Sequence, residues 1–264
     1  MNAAHDKLFE IFHTNTKYTR TSSLTDALRM SAHTNVDTTR NTKVFRYAPR
    51  LRLPTFSGTG TTLESALSQR VSTRVFSGAP LTLQALANIL LPAAAAAQAN
   101  VITQSTRARC FRTYPSAGAT YPLEIYVFLL RAADTPCAIM HFDPQNRELS
   151  ILKTPAEHCA LSDALILAQT QVETAAAFMI ITALFERTTL KYGNRGYRFV
   201  LLEAGHLAQN LCLSAAAAGW GSLTWGGFHD DHLHRLVGVD GVNEAAVHCL
   251  FIGGLSPPES TPST

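Results

Sequence analysis

The sequence predicts an α+β fold organised around one long buried helix. Three features carry that prediction. The first hundred residues read as helix-rich, and strand signals begin only from Arg107. From there strands and helices mix, with long excursions between one strand and the next. Residues 197–218 read as a helix with almost no polar face: Leu201, Leu202, Ala204, Leu207, Ala208, Leu211, Cys212, Ala215 and Ala218 surround it. A helix apolar nearly all round is buried on several sides.

Residues 1–61 differ from the rest, being rich in threonine and irregular in apolar spacing. Short helices fit Asp6–His13 and Leu24–Ser31, and Lys43, Arg46, Arg50 and Arg52 form a basic cluster ending at Pro54. This stretch reads either as a solvated extension or as a surface that receives an extended peptide. GTGTT at 58–62 lacks the GxxxxGK[ST] spacing and a preceding strand, which rules it out as a phosphate loop.

Thr62 caps a predicted helix to Gln69, with Leu63, Ala66 and Leu67 inward and Glu64 in the favourable first turn. RVSTRVF follows at 70–76, spacing Arg70, Ser72 and Arg74 alternately. Two guanidinium groups and a hydroxyl suit a phosphate dianion; a solvated basic turn is the plainer reading. Residues 82–98 read as a helix with Leu83, Leu86, Ala87, Leu90 and Leu91 buried, a break or kink at Pro92, and the alanine run 93–97 packed within it.

Arg109–Thr113 is a predicted strand leading into the loop YPSAGATYP, and EIYVFLL at 124–130 is a strongly apolar strand. A hairpin at 138–142 and 148–152 turns around DPQN. Helical signals cover Ala156–Ala168, and AAAFMIITALF at 175–185 is a buried strand with Ile180, Ile181 and Thr182 at its centre. After the long helix, Asp230 or Asp231 caps a short helix through Leu236. AVHCLFIGG at 246–254 is the last strand, and 255–264 reads as a disordered tail. The domain bounds this gives are 1–61, an extension; 62–254, the folded domain; and 255–264, the tail.

Composition excludes several classes. The chain has 264 residues, 46% hydrophobic and 16% charged, enough for one large domain with a sizeable core or two small ones. A net charge of +3 gives no case for nucleic acid. No run approaches the roughly 20 apolar residues of a membrane span. MNAAHDKLFEIF has no signal-peptide core, so a cytoplasmic location is expected. Cys110, Cys137, Cys159, Cys212 and Cys249 form no CxxC and sit in apolar contexts, which predicts buried free thiols. His229, Asp230, Asp231, His232 and His234 lack tetrahedral zinc spacing, so no metal is expected.

The long helix carries the candidate site at its two ends. Lys191, Tyr192, Gly193, Arg195 and Arg198 stand at its entry; Gly219, Gly221, Ser222, Gly226 and Gly227, with Trp220 and Trp225, form its exit. Glycines there permit close approach of a flat ligand. An exposed Lys-Tyr pair and an ordinary turn into a strand explain the same residues without a ligand. Glu203, His206, Gln209 and Asn210 are expected to satisfy one another or nearby backbone.

KYGNRGYRFVLLEAGHLAQNL, GWGSLTWGGFHD and YPSAGATYPLEIYVF together resemble the SagB-type azoline dehydrogenases, a branch of the nitroreductase-like flavoproteins, over residues 62–254. The resemblance implies a mixed sheet flanked by helices in an interlocked homodimer with two FMN sites. It implies that Arg70, Ser72 and Arg74 grip FMN, and that Pro115, Ser116, Ala117 and Gly118 border the flavin, commonly from the partner subunit. It places Gly221, Ser222, Gly226 and Gly227 at the cofactor. The implied reaction oxidises a thiazoline or oxazoline, carried on a peptide or a carrier, to the aromatic ring. Lys191 is the implied base and Tyr192 its partner; Arg195, Arg198 and Tyr121 are expected near the substrate. A cyclodehydratase or synthetase complex is an implied partner. One departure stands out: nothing basic follows Arg235, whereas many nitroreductases close the phosphate site with C-terminal cations. An NAD(P)H-dependent nitro or quinone reductase, and a flavin-binding subunit without turnover, are the alternative readings.

Overall fold

The computed structural model describes residues 8–18, 42–97, 111–155 and 158–256. Its helices are α1 (Leu8–Asn15), α2 (Leu63–Gln69), α3 (Leu83–Ala94), α4 (His158–Ala164), α5 (Gln169–Thr174), α6 (Glu186–Tyr192), α7 (Arg195–Ala217) and α8 (Asp230–Val237). Its strands are β1 (Arg50–Arg52), β2 (Ala96–Ala97), β3 (Phe111–Arg112), β4 (Leu123–Leu129), β5 (Ile139–Asp143), β6 (Glu148–Lys153), β7 (Ala177–Leu184), β8 (Trp220–Trp225) and β9 (Glu244–Gly254). Seven strands form one sheet in the order β1-β6-β5-β4-β7-β9-β8, and β2 pairs with β3 apart from it. This is the α+β architecture that the order of signals implies. The pairings within the large sheet are all antiparallel rather than mixed. Among the described residues, parallel contacts enter as the isolated bridges Ser72–Ser222 and Leu81–Ala132.

Every residue of β4 is buried. Side chains alternate between the faces of a strand, so the sheet carries two cores. Ile125, Val127, Met179, Ile181, Leu250 and Ile252 pack under α3 and α7 on one face. Tyr126, Phe128, Phe178, Ile180 and Phe251 pack under α4, α5 and α8 on the other. Burial on both faces is why EIYVFLL and AFMIITAL read as unbroken apolar runs. Each such side chain contributes roughly 1.5–3 kcal/mol through removal from water.

Several expectations are corrected. Thr62 caps α2 by accepting the Ser65 N–H, but only Ala66 is buried; Leu63 and Leu67 are 63% and 52% exposed in the single chain. The helix from 82 ends at Ala94, because Ala96–Ala97 leave it to pair with β3. Of the helical stretch 156–168, the described residues form only α4, which ends at Ala164; Leu167 at φ 55 follows, and α5 starts beyond the stretch at Gln169. A separate helix, α6, precedes the long one, which starts at Arg195 and ends at Ala217. Of its polar residues, Asn210 donates to the Ala93 carbonyl at 3.3 Å and Glu203 is buried without a partner, while His206 and Gln209 face solvent.

His229, rather than an aspartate, occupies the N-cap position of α8, with Asp230 and Asp231 in the first turn. Cys212 and Cys249 are buried, Cys137 is half-buried and Cys159 is exposed. Leu255 belongs to the fold through a bridge to Phe76. The helix expected at Leu24–Ser31, Cys110 and residues 257–264 lie outside the described residues. Among the described residues no helix is long and apolar enough to cross a membrane, and no group of three or more metal-type ligands stands together.

Candidate functional site

The first cluster forms where α6 meets α7. Gly196 lets the two helices touch: a Cβ there would lie 3.0 Å from the Thr189 Cα. α6 therefore ends with Lys191 and Tyr192 held against the start of α7. Tyr192 packs edge-on to Phe199 with centroids 5.1 Å apart, and Lys191 Nζ lies 5.5 Å from the Tyr192 ring centre. Burial raises the pKa of the Tyr192 phenol, which keeps it protonated near neutrality.

The loop after β3 closes over this pair. Gly118, Ala119 and Tyr121 take φ of 62°, 54° and 43°. Positive φ at two non-glycine residues costs of order 1 kcal/mol each and persists only where the surroundings enforce it. The enforcing bonds are local and tertiary. Tyr121 N–H donates to Ser116 Oγ at 2.9 Å, and the Thr120 hydroxyl meets Thr188 of α6 at 2.8 Å. A Cβ on Gly118 would lie 2.6 Å from both Lys191 Nζ and Tyr192 Oη. The two polar tips thus converge on a backbone that carries no side chain.

The second cluster lies at the other end of α7. Gln69, Arg70, Val71, Thr73, Ala216, Gly219, Trp220, Gly221, Ser222 and Leu255 line a cavity of about 250 Å³. Ser72 bridges to Ser222, and Thr73 N–H donates to the Ser222 carbonyl at 2.9 Å. The RVSTR segment therefore lies along the margin of β8. Gly221 permits this: a Cβ there would meet the Thr73 side chain at 2.7–2.9 Å. Thr73 Oγ1 is buried with no hydrogen-bond partner. A cation, glycine backbone and an orphaned hydroxyl fit a bound phosphoryl or polyol group. Ser72 and Arg74 are exposed in the single chain, and the Arg74 carbonyl accepts from Gln171 Nε2 at 2.8 Å.

The remaining candidates sit elsewhere. Gly226 and Gly227 follow the far end of β8, where the Gly227 carbonyl accepts from Ile166 N–H and Trp225 Nε1 at 2.8 Å each. Pro115 is exposed beside the half-buried Ser116 and Ala117. Tyr121 is 3% exposed, and its hydroxyl accepts the Arg112 N–H at 3.0 Å, so it packs inside the domain. Arg195 and Arg198 serve α1. Arg195 donates to the Thr16 carbonyl at 3.1 Å, and Arg198 to Thr16 Oγ1 at 2.6 Å and the His13 carbonyl at 2.5 Å. They satisfy the open carbonyl end of that helix.

Sequence reasoning missed a buried polar network behind α6. Glu124 Oε1 accepts from Arg187 Nη1 at 2.6 Å and Lys43 N–H at 3.1 Å, and its Oε2 lies 2.7 Å from His141 Nε2. Glu244 accepts from Lys43 Nζ, Tyr126 Oη and Thr182 Oγ1 at 2.7–2.9 Å. The hydrogen bond from His141 and the Arg187 charge outweigh burial and hold Glu124 down at about 2. The readable signal was a charged residue inside an apolar strand: Glu124 in LEIYVFL and His141 in IMHFD.

The nitroreductase family profile matches residues 67–254. The protein MJ1384 of Methanocaldococcus jannaschii, named as a nitroreductase, is 37% identical over 67% of this chain and 84% of its own. The microcin B17-processing protein McbC of Escherichia coli is 29% identical over 55% of each chain. Among solved structures, the E. coli microcin synthetase McbBCD complex with truncated pro-MccB17 bound aligns with TM-score 0.58 at 23% identity, over 83% of this chain and 80% of that one. A nitroreductase solved with FMN from Exiguobacterium sibiricum aligns with TM-score 0.52 at 16% identity, over 78% of this chain and 93% of that one. At these identities the structural matches speak for the fold.

Proposed function

The chain belongs to the nitroreductase family of oxidoreductases, and from that premise we propose that it is an FMN-dependent azoline dehydrogenase. The observation that carries the reading is the convergence of Lys191 Nζ and Tyr192 Oη on Gly118. The similarity to McbC and to the McbBCD complex supports the same substrate class and a synthetase-type partner. Oxidation of a thiazoline or oxazoline removes one ring C–H as a proton and the neighbouring C–H as a hydride, leaving a new ring double bond. When bound, FMN supplies the hydride acceptor. Lys191 takes the proton and Tyr192 orients the ring nitrogen or passes the proton on. Arg70, the Gly219–Ser222 backbone and Thr73 hold the phosphate end of the cofactor. The test is incubation of the purified yellow protein with an azoline peptide and mass spectrometry for the loss of two hydrogens. A yellow protein that leaves the peptide unchanged would sink the proposal.

The cavity beside Arg70 supports a homodimer. It stands beside Ala216 and Gly219, whereas Tyr192 packs on Phe199, so some 17 residues of α7 separate the clusters. At ~1.5 Å per residue that is roughly 25 Å, more than one flavin spans. A complete site therefore takes Arg70 from one subunit and Lys191 from its partner, and Tyr197, Leu201 and Leu202, exposed along α7, supply the apolar contact. Mixing equal amounts of Arg70→Ala and Lys191→Ala chains after unfolding and refolding is expected to restore about a quarter of the sites. No recovery would argue for sites complete within one chain.

Arg70→Ala is expected to weaken FMN binding about 10–100-fold, the worth of one charge-assisted hydrogen bond. Gly221→Val should do the same by pushing Thr73 off β8. Equilibrium dialysis of FMN checks both. The similarity to MJ1384 favours a second reading, an NAD(P)H-dependent nitro or quinone reductase. Rapid bleaching of the flavin by NAD(P)H without azoline would select it.

A further inference from the structure

Arg187 of α6 has no part in the chemistry above, yet its side chain joins the two halves of the first cluster. Its Nη1 donates to Glu124 Oε1 on β4 at 2.6 Å and to the Tyr121 carbonyl at 3.1 Å. The Glu124 side chain is fully buried, and that of Arg187 is 20% exposed. One guanidinium nitrogen therefore ties α6, the sheet and the loop that ends at Tyr121. Neutralising Glu124 needs only the first of these bonds. The second goes to an uncharged backbone carbonyl, on a residue whose φ of 43° persists only where its surroundings enforce it. Thr188, next on α6, meets Thr120 of the same loop at 2.8 Å. Lys191 follows Arg187 by one turn on the same helix face. Gly118 precedes Tyr121 in the loop, and its backbone lies against Lys191 Nζ and Tyr192 Oη.

We propose that Arg187 is a positioning residue: by holding the Tyr121 carbonyl to Glu124, it fixes the Gly118 loop against Lys191 and Tyr192. Its consequence for turnover rests on the dehydrogenase reading; its grip on the loop does not. A base acts only within hydrogen-bond reach of the proton it takes, so a loop that lifts by about 1 Å costs rate rather than cofactor. An arginine that merely balanced Glu124 would behave differently. Its loss would destabilise the fold by leaving a buried carboxylate uncompensated, and removing that charge as well would repair the damage. The two roles come apart when Glu124 is made neutral in the same chain.

The test is hydrogen exchange on the full-length holoprotein, read at the Ala119, Thr120 and Tyr121 amides, which all donate within the loop. Arg187→Met removes both bonds and is expected to raise exchange at these amides about 10-fold or more. Adding Glu124→Gln removes the stranded charge: Tm should recover towards the wild type while the loop stays open. This double variant carries the test if Arg187→Met does not fold. Glu124→Gln alone keeps an acceptor for Arg187 and should leave loop exchange near the wild-type rate. Wild-type exchange in the double variant, or equal opening in Glu124→Gln alone, overturns the proposal. Where azole formation is measured, kcat of the double variant should stay about 10-fold or more below wild type while KM and FMN affinity hold. Wild-type kcat with an open loop would also overturn it. The expected exchange pattern in a protein without azoline turnover would remove the dehydrogenase reading and leave Arg187 in its role.

Discussion

Lys191→Ala is expected to keep FMN bound and to lose azole formation by about 10²–10⁴-fold, the usual worth of a positioned base. Retention follows from geometry. The cavity beside Arg70 lies toward the other end of α7 and takes no lining from α6. Loss follows from the loop: Gly118 brings its backbone to the amine and the phenol at once, so close that a Cβ there would lie 2.6 Å from both. Tyr192→Phe should lose less, because it removes the proton-passing hydroxyl but keeps the ring on Phe199. Flavin absorbance and single-turnover mass spectrometry separate the two effects. Normal turnover by Lys191→Ala would strike the lysine from the mechanism.

Glu124→Ala is expected to cost about 3–5 kcal/mol, because it strands the Arg187 guanidinium, His141 and the Lys43 N–H. Arg187 and His141 would each lose a hydrogen bond of 2.6–2.7 Å. For a domain of this size that lowers Tm by roughly 10 °C. The pH dependence has a definite sign. Glu124 is held at about 2 against an ordinary 4.5, so its contribution is present above 4.5 and lost as pH falls between those values. The variant should show a shallower acid limb in denaturant melts. An unchanged melting temperature would show that the network contributes nothing net. Arg187 lies one turn before Lys191 on α6, so loosening it should also lower turnover.

The sheet was legible because its central strands are buried on both faces, which writes itself into β4, β7 and β9 as plain apolar runs. The length of α7 was legible from its unbroken apolar content, although Leu201 and Leu202, read as part of a helix buried on several sides, are exposed in the single chain. The inward direction of Leu63 and Leu67 was not, since apolar spacing marks a face without saying which body covers it. α6 was missed because ERTTLKY has polar residues at most positions and two β-branched threonines, a weak helical pattern that only docking on α7 settles. The motifs grouped Lys191, Tyr192, Ser116 and Gly118 around one ligand, and the structure holds the lysine and tyrosine tips against the Gly118 loop. They assigned Arg195 and Arg198 to the substrate, where the structure commits them to α1. Glu203 was read as one of four mutually satisfied polar residues. A helix can carry an acid inward at one position while its neighbours face water, and composition does not distinguish the two.

Lys43 spans Glu124 and Glu244, β1 adds a strand to β6, and Leu53 reaches the first core. The change in composition at residue 61 is therefore a stylistic seam rather than a mechanical one. A fragment trimmed to begin there would bare the β6 border and leave Glu244 facing the protein interior without its ammonium counterpart. Fusion or truncation designs should treat the chain from Thr42 onward as indivisible.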